Sequence, residues 1–229
     1  MRTHTIYWAS LNQDDTLDLE PKPLLNDIAK SQSDHKGWNH IACPAIKNKH
    51  ANTFITHIPY DLNVQFYDGQ LFSSDNKVTE RKGLYENSSA FNWEIQRIFF
   101  SPISQIMEVT PAYLHKTSYS QQGHAPSGAF DIGQWFRPSS PTFQLWSGET
   151  TFTAKKGDAH LYLNFPNTNK IVLQQFNMTN NLYEIMVTCL NYKFVKPKQN
   201  LSSIYQMFNK KGLKENIMQE IQNNIRRTN

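Results

Sequence analysis

Between residues 130 and 176 the sequence repeats one local pattern, in which short apolar and β-branched runs are separated by turn residues. Glycine, proline or asparagine lies between neighbouring runs, which cover residues 130–136, 142–146, 149–154, 158–165 and 170–176. This spacing is typical of an antiparallel sandwich or barrel, because a βαβ fold needs a helical segment between consecutive strands. The pattern therefore predicts a mainly β fold.

A tight hairpin is predicted upstream, where Asp68-Gly69 separates two alternating runs. Both central residues of a type I′ turn need positive φ, which this pair tolerates. Further patterns predict strands at 3–9, 37–44 and 53–58, a short helix near 24–30, and a loop over 73–90.

The C-terminal end has a different period. Apolar residues recur there every four positions, which is typical of one face of a helix: Leu213, Ile217, Ile221 and Ile225. We therefore expect a β-sandwich domain over 1–195 and a helical segment over 196–229 packed on it. The predicted fold is an antiparallel jelly-roll-like β-sandwich with a C-terminal helical cap.

Charge is distributed unevenly along the chain. The net charge is +4, and the sequence from Leu190 onward holds eight basic and two acidic residues. Such a tail can neutralise phosphates, so nucleic acid is one candidate partner. A solvated helix face explains the same charges, and no nucleic-acid-binding motif accompanies them. We expect an unknown protein partner or self-association instead.

The sequence contains no apolar run near 18 residues, so no membrane-spanning helix is predicted. The first nine residues lack a secretory apolar segment, and Cys43 and Cys189 form no CxxC pair. These features predict a protein kept inside a cell, with both thiols reduced.

The run 158–165 alternates polar and apolar residues. If it is a regular strand, its polar members lie on one face, towards solvent or a cavity: Asp158, His160, Tyr162 and Asn164. A set of histidine and carboxylate ligands with open positions is typical of non-haem Fe(II) sites. The alternative is a histidine that faces solvent or is hydrogen-bonded.

A second cluster joins the loop residue His124 to the run 130–136. On a regular strand Asp131, Trp135 and Arg137 share a face. A guanidinium there suits a carboxylate or phosphate, as on an oxo-acid cosubstrate. The alternative is that Asp131 and Arg137 pair with each other or with neighbouring residues.

Together the two clusters give two candidate sets. The metal set, for Fe(II) or another divalent metal, is His124, Asp131 and His160. The ligand-binding set is Trp135, Arg137, Tyr162 and Asn164. The His-x-Asp spacing of Fe(II)/2-oxoglutarate oxygenases is missing. We therefore expect a non-catalytic binding or assembly module first, and a metal-dependent jelly-roll oxygenase as the alternative.

Two resemblances follow from short stretches. The spacing Gly157-x2-His160-x3-Asn164 resembles the second motif of the cupin superfamily, in which the histidine binds a metal. Lys155 replaces the preferred proline, and the first cupin motif is absent.

Five further stretches resemble an uncharacterised family of proteins from marine tailed phages and bacteria. They are Cys43-Pro44-Ala45, Pro59-Tyr60-Asp61, Phe99-Phe100-Ser101, 130–138 and Lys156-Gly157-Asp158. This resemblance implies a place in the infected cytoplasm or in the virion, and it carries no known function.

Overall fold

The computed structural model describes residues 2–11, 19–32, 43–73, 78–84, 86–195, 206, 208–209 and 212–226. The fold is mainly β, with 41% strand and several antiparallel sheets, consistent with a β-sandwich. The strands are β1 (Thr3–Ser10), β2 (Lys22–Pro23), β3 (Thr53–His57), β4 (Leu62–Tyr67), β5 (Gln70–Ser73), β6 (Val78–Lys82), β7 (Ser89–Trp93), β8 (Arg97–Phe100), β9 (Ile106–Pro111), β10 (Gly123–His124), β11 (Gly128–Asp131), β12 (Pro138–Ser139), β13 (Thr142–Leu145), β14 (Thr151–Ala154), β15 (Ala159–Asn164) and β16 (Lys170–Gln175). The described helices are α1 (Leu24–Gln32), α2 (Pro44–His50), α3 (Asn180–Val195) and α4 (Leu213–Asn223).

The strands form four sheets. Their orders are β12-β8-β1-β16, β10-β13-β7-β6, β11-β9-β15-β3-β2 and β14-β4-β5. One pair is parallel: β1 runs beside β16, with Thr3 opposite Lys170 and Trp8 opposite Gln175. The expectation of a wholly antiparallel fold is wrong at this pair. Parallel neighbours need a long connection that crosses over the sheet. Here that connection is the chain between Ser10 and Lys170.

Local sequence signals predicted several elements correctly. Asp68 and Gly69 have φ values of 48° and 75°, and they join β4 to β5 as the hairpin signal requires. Strand β4 alternates buried and exposed residues along its whole length. The short helix predicted near 24–30 is α1.

Two local predictions differ from the structure. The predicted loop 73–90 contains β6, whose residues after Val78 are exposed and mostly charged, so no apolar alternation marks it. Pro44 begins α2 rather than ending a strand, because a proline at the first helical position loses no helical hydrogen bond. The rest of the predicted strand, residues 37–42, lies outside the described residues.

Two large apolar clusters form the core. The first is rich in aromatic rings that contact one another in stacked, tilted and edge-on pairs, among them Phe91, Trp93, Phe143, Phe152 and Phe165. The second lies between the β12-β8-β1-β16 sheet and the C-terminal helices, and it includes Ile98, Phe100, Leu182, Met186, Ile217 and Ile221.

The C-terminal helical segment was expected to begin at residue 196. In the structure, helix α3 already begins at Asn180. Cys189 lies buried in this helix, and burial raises the pKa of its thiol to about 11, so the thiol stays protonated. In α4, Ile217 and Ile221 are buried as the four-residue period predicts. Ile225 lies beyond the helix and forms a bridge with Phe176.

Candidate functional site

A bulge divides the polar residues of strand β15. The register against β3 shifts between Ala159 and Leu161, so β15 has one extra residue there. An extra residue interrupts the alternation of faces. His160 therefore contacts the core ring of Trp93, at 5.9 Å between centroids, whereas Tyr162 packs in a separate cluster with Ala159.

His160 is fully enclosed. Its ring stacks on Phe143 at 5.5 Å, and it is 1% exposed. Within the described part of the chain, neither ring nitrogen has a hydrogen-bond partner. Burial, and secondarily the positive charge of Arg97, lowers its pKa well below the usual value, so the ring is neutral. The expected polar face towards solvent or a cavity is wrong for this residue.

The Asp131 carboxylate is hydrogen-bonded by neighbouring protein groups. It accepts from Ser104 Oγ at 2.5 Å and Gln105 N at 2.9 Å, which precede β9, and from Gly133 N at 2.8 Å in its own turn. Strand β11 ends at Asp131, so the expected strand face shared with Trp135 and Arg137 does not form. Of the alternative, Asp131 bonds with neighbours, whereas a pair with Arg137 is not among the ion pairs of the described residues.

The predicted metal set does not assemble. His124 stacks on Trp146 with ring centroids 4.4 Å apart, away from the aromatic enclosure of His160. Among the described residues no three histidine, cysteine or acidic side chains lie where they could hold a metal ion. His124, Asp131 and His160 therefore do not form a facial triad in this structure.

Two residues of the predicted ligand set are held by protein groups. Asn164 donates to Glu108 Oε2 at 2.6 Å and accepts from Thr53 Oγ1 at 3.1 Å. Trp135 packs on the second core cluster, 6.1 Å from the ring of Phe208. Their side chains contribute to packing and strand pairing where they lie.

Arg137 also belongs to the predicted ligand set, and it lies at a cleft of about 610 Å³ whose lining comes from three of the sheets. We call it the Arg137 cleft. Its apolar floor includes Val109, Ala125, Phe130 and Leu161, and its polar rim includes Lys82, Arg137, Ser139 and Ser140. This volume is in the usual range for a small-molecule site.

The cleft has a positive rim. The Arg137 guanidinium carbon lies 5.2 Å from the centroid of the Phe130 ring, a cation–π contact that orients the group. Lys82 supplies a second cation, and the described residues that line the cleft include no acid. Arg137 is likewise absent from the ion pairs found among the described residues.

A second polar cluster lies outside this cleft, and we call it the Asp27 network. Asp27 Oδ1 is 3.3 Å from His57 Nε2, and Asp27 Oδ2 is 3.2 Å from His115 Nε2. His115 Nδ1 is 2.6 Å from the Tyr162 hydroxyl, which also accepts from Leu114 N at 3.1 Å. Sequence reasoning missed the network because α1, β3, β15 and a loop bring it together from distant positions.

One arrangement of protons fits these contacts. Tyr162 accepts from Leu114 N–H and can donate its own proton to His115 Nδ1; the ring proton is then on Nε2, 3.2 Å from Asp27 Oδ2 but without hydrogen-bond geometry. Burial lowers the pKa of His115, against the opposing effect of Asp27, and burial raises the pKa of the Tyr162 phenol. The contacts of the network tie α1 to β3 and β15.

Comparisons with known proteins give no further guide to function. No protein-family model matches the chain, and a search of curated proteins finds no match. The resemblances to cupins and to phage proteins therefore stay predictions. None of the described helices has the length and apolar character that a membrane span requires.

Proposed function

We propose that this protein is a non-catalytic binding module that holds an acidic ligand in the Arg137 cleft. The observation that carries the proposal is the position of Arg137, whose guanidinium is oriented over Phe130 at the rim of a cleft without acidic lining. A fixed guanidinium binds a carboxylate or phosphate through two parallel hydrogen bonds.

The floor of the cleft adds a second requirement. Val109 and Leu161 contribute apolar surface below the charged rim. Burial of apolar ligand surface there is favourable by about 25 cal/mol per Å². The fitting ligand therefore has an acid group at one end and an apolar body at the other.

Isothermal titration with matched small molecules tests the proposal. We expect 4-phenylbutyrate or phenyl phosphate to bind, and the neutral 4-phenylbutyramide to bind more weakly. In Arg137→Gln the acids should lose about 10- to 100-fold in affinity, the value of one or two charge-assisted hydrogen bonds. Arg2→Gln, which removes an exposed arginine elsewhere, is the matched control. Equal affinity for acid and amide, or no effect of Arg137→Gln, would contradict the proposal.

A second part of the proposal concerns the C-terminal helices. We infer that α3 and α4 cover one face of the β12-β8-β1-β16 sheet, which the shared second core cluster supports. The jelly-roll strand order and the cytoplasmic or virion location stay predictions. So does nucleic-acid binding, because most of the basic tail lies outside the described residues.

The oxygenase alternative finds no support in the described residues. Among the described residues its metal set does not come together, and His160 is 1% exposed in the aromatic core. Of its predicted residues, Arg137 alone keeps a role in binding an acid group.

A further inference from the structure

Strand β11 is the outer strand of the β11-β9-β15-β3-β2 sheet. It pairs with β9 from Gly128 opposite Val109 to Asp131 opposite Ile106, and no described strand lies on its other side. An edge of this kind presents unpaired backbone donors and acceptors, which are a template for a further strand.

The same strand forms one wall of the Arg137 cleft. Gly128, Ala129 and Phe130 line it, and the first two are exposed. The space beside Gly128 is open, since an added Cβ would meet no atom within 4 Å. An extended chain lying along this wall would reach Arg137, whose guanidinium lies over Phe130.

Two other sheet edges are protected by charge or covering. Strand β6 is exposed but mostly charged, with Glu80, Arg81 and Lys82 in sequence. The edge of β16 is covered at its last residue, where Arg226 N donates to Gln175 O at 2.9 Å. Charge and covering are the usual means of preventing strand addition, and exposed Gly128-Ala129 has neither.

We propose that the ligand of the Arg137 cleft is the C-terminal end of an extended peptide, which pairs with β11 and places its terminal carboxylate on Arg137. This inference rests on the proposed function and names its ligand class. Main-chain pairing provides affinity in such complexes, and pockets for alternate side chains provide specificity. The apolar floor at Val109 and Leu161 fits an apolar side chain at or near the last residue.

Fluorescence polarisation with a library of N-terminally labelled pentapeptides carrying free C-termini tests the inference. We expect selection of peptides with an apolar residue at or near the terminus. C-terminal amidation of a selected peptide should weaken binding at least about tenfold, the loss of one charge-assisted interaction. Arg137→Gln should remove the preference for the free acid, and Arg2→Gln should keep it.

Backbone methylation separates strand addition from simple acid binding. Methylating successive backbone nitrogens of the selected peptide should weaken binding at alternate positions, because alternate N–H groups face the partner strand. Loss at no position, or failure of every free-acid peptide while 4-phenylbutyrate binds through Arg137, would overturn the inference and leave the proposed function intact. Failure of all acids, small molecules included, would overturn both.

Discussion

The Arg137 cleft and the Asp27 network both place charged side chains at partly exposed positions. They differ in whether the charged group has a partner of opposite charge among the described residues. In the network, the Asp27 carboxylate lies within 3.3 Å of both His57 and His115, and His115 is hydrogen-bonded to the Tyr162 hydroxyl. In the cleft, Arg137 contacts an aromatic face and no carboxylate of the described chain. A charged group with a partner of opposite charge inside the fold contributes to stability. A guanidinium without such a partner is suited to binding a ligand. Substitutions in the two regions should therefore separate stability from binding.

The largest effect on stability is expected for Tyr162→Phe. The variant leaves Leu114 N–H and His115 Nδ1 without their buried partner, which costs about 1–3 kcal/mol. Urea unfolding followed by fluorescence measures the loss of unfolding free energy. The control is Tyr113→Phe, since Tyr113 is 59% exposed and its hydroxyl is 3.3 Å from His50 Nε2, its one hydrogen-bond contact among the described residues. Equal losses in both variants would contradict the role given to the network.

Acid should destabilise the protein through buried histidines. Burial lowers the folded-state pKa of His115 and, much further, of His160. The unfolded state then binds more protons below about pH 6.5, so stability is present above that pH and is lost as the pH falls. Unfolding free energies measured between pH 5 and 8 should show this decline.

His160→Leu isolates the partnerless histidine from the network. The variant should be at least as stable as the native protein at pH 7, because it removes two unsatisfied ring nitrogens, and its decline towards pH 5 should be shallower. His124→Leu, at a ring stacked on Trp146, should keep most of the decline. A full acid decline in His160→Leu would show that another group causes it.

Asp27→Asn should have a smaller effect. One histidine contact keeps an oxygen acceptor without its charge, and the other meets the amide NH2, so we expect a loss of about 0.5–1.5 kcal/mol. Affinity in the Arg137 cleft should stay unchanged. Glu184→Gln, at an exposed helix position, is the matched loss of one negative charge. A change in cleft affinity in Asp27→Asn would link the two regions.

Lys82→Gln should have the smallest effect on stability. Lys82 is exposed on strand β6, so the unfolding free energy should change by less than about 0.5 kcal/mol. Removal of the second rim cation should weaken acid binding a few-fold and reduce its dependence on salt. Lys170→Gln removes an exposed lysine outside the cleft lining and should leave binding unchanged.

The sequence predicted an element correctly where its local residue pattern is uninterrupted. Alternation located β4, the Asp68-Gly69 pair located the hairpin, and a four-residue period located α4. It failed where local rules are interrupted. The bulge at His160 leaves no trace in the alternation, and β6 is a charged edge with no apolar pattern.

The candidate site was predictable only in part. The sequence predicted that Arg137 binds an acid group, which stays a prediction, and it placed Arg137 on a strand with Asp131, which the turn at Gly133 prevents. The Asp27 network has no spacing signal, because its members meet only through tertiary packing. Neither the cleft nor the open edge of β11 can be derived without the sheet order.

The most direct measurement combines binding and stability in the same variants. Affinities for 4-phenylbutyrate and its amide, together with urea unfolding, would be measured for the native protein, Arg137→Gln and Tyr162→Phe. We predict that Arg137→Gln loses the preference for the acid with an unchanged unfolding free energy. Tyr162→Phe should lose stability and keep that preference under conditions where it is folded. An acid preference that survives in Arg137→Gln would contradict the assignment of the cleft as the binding site.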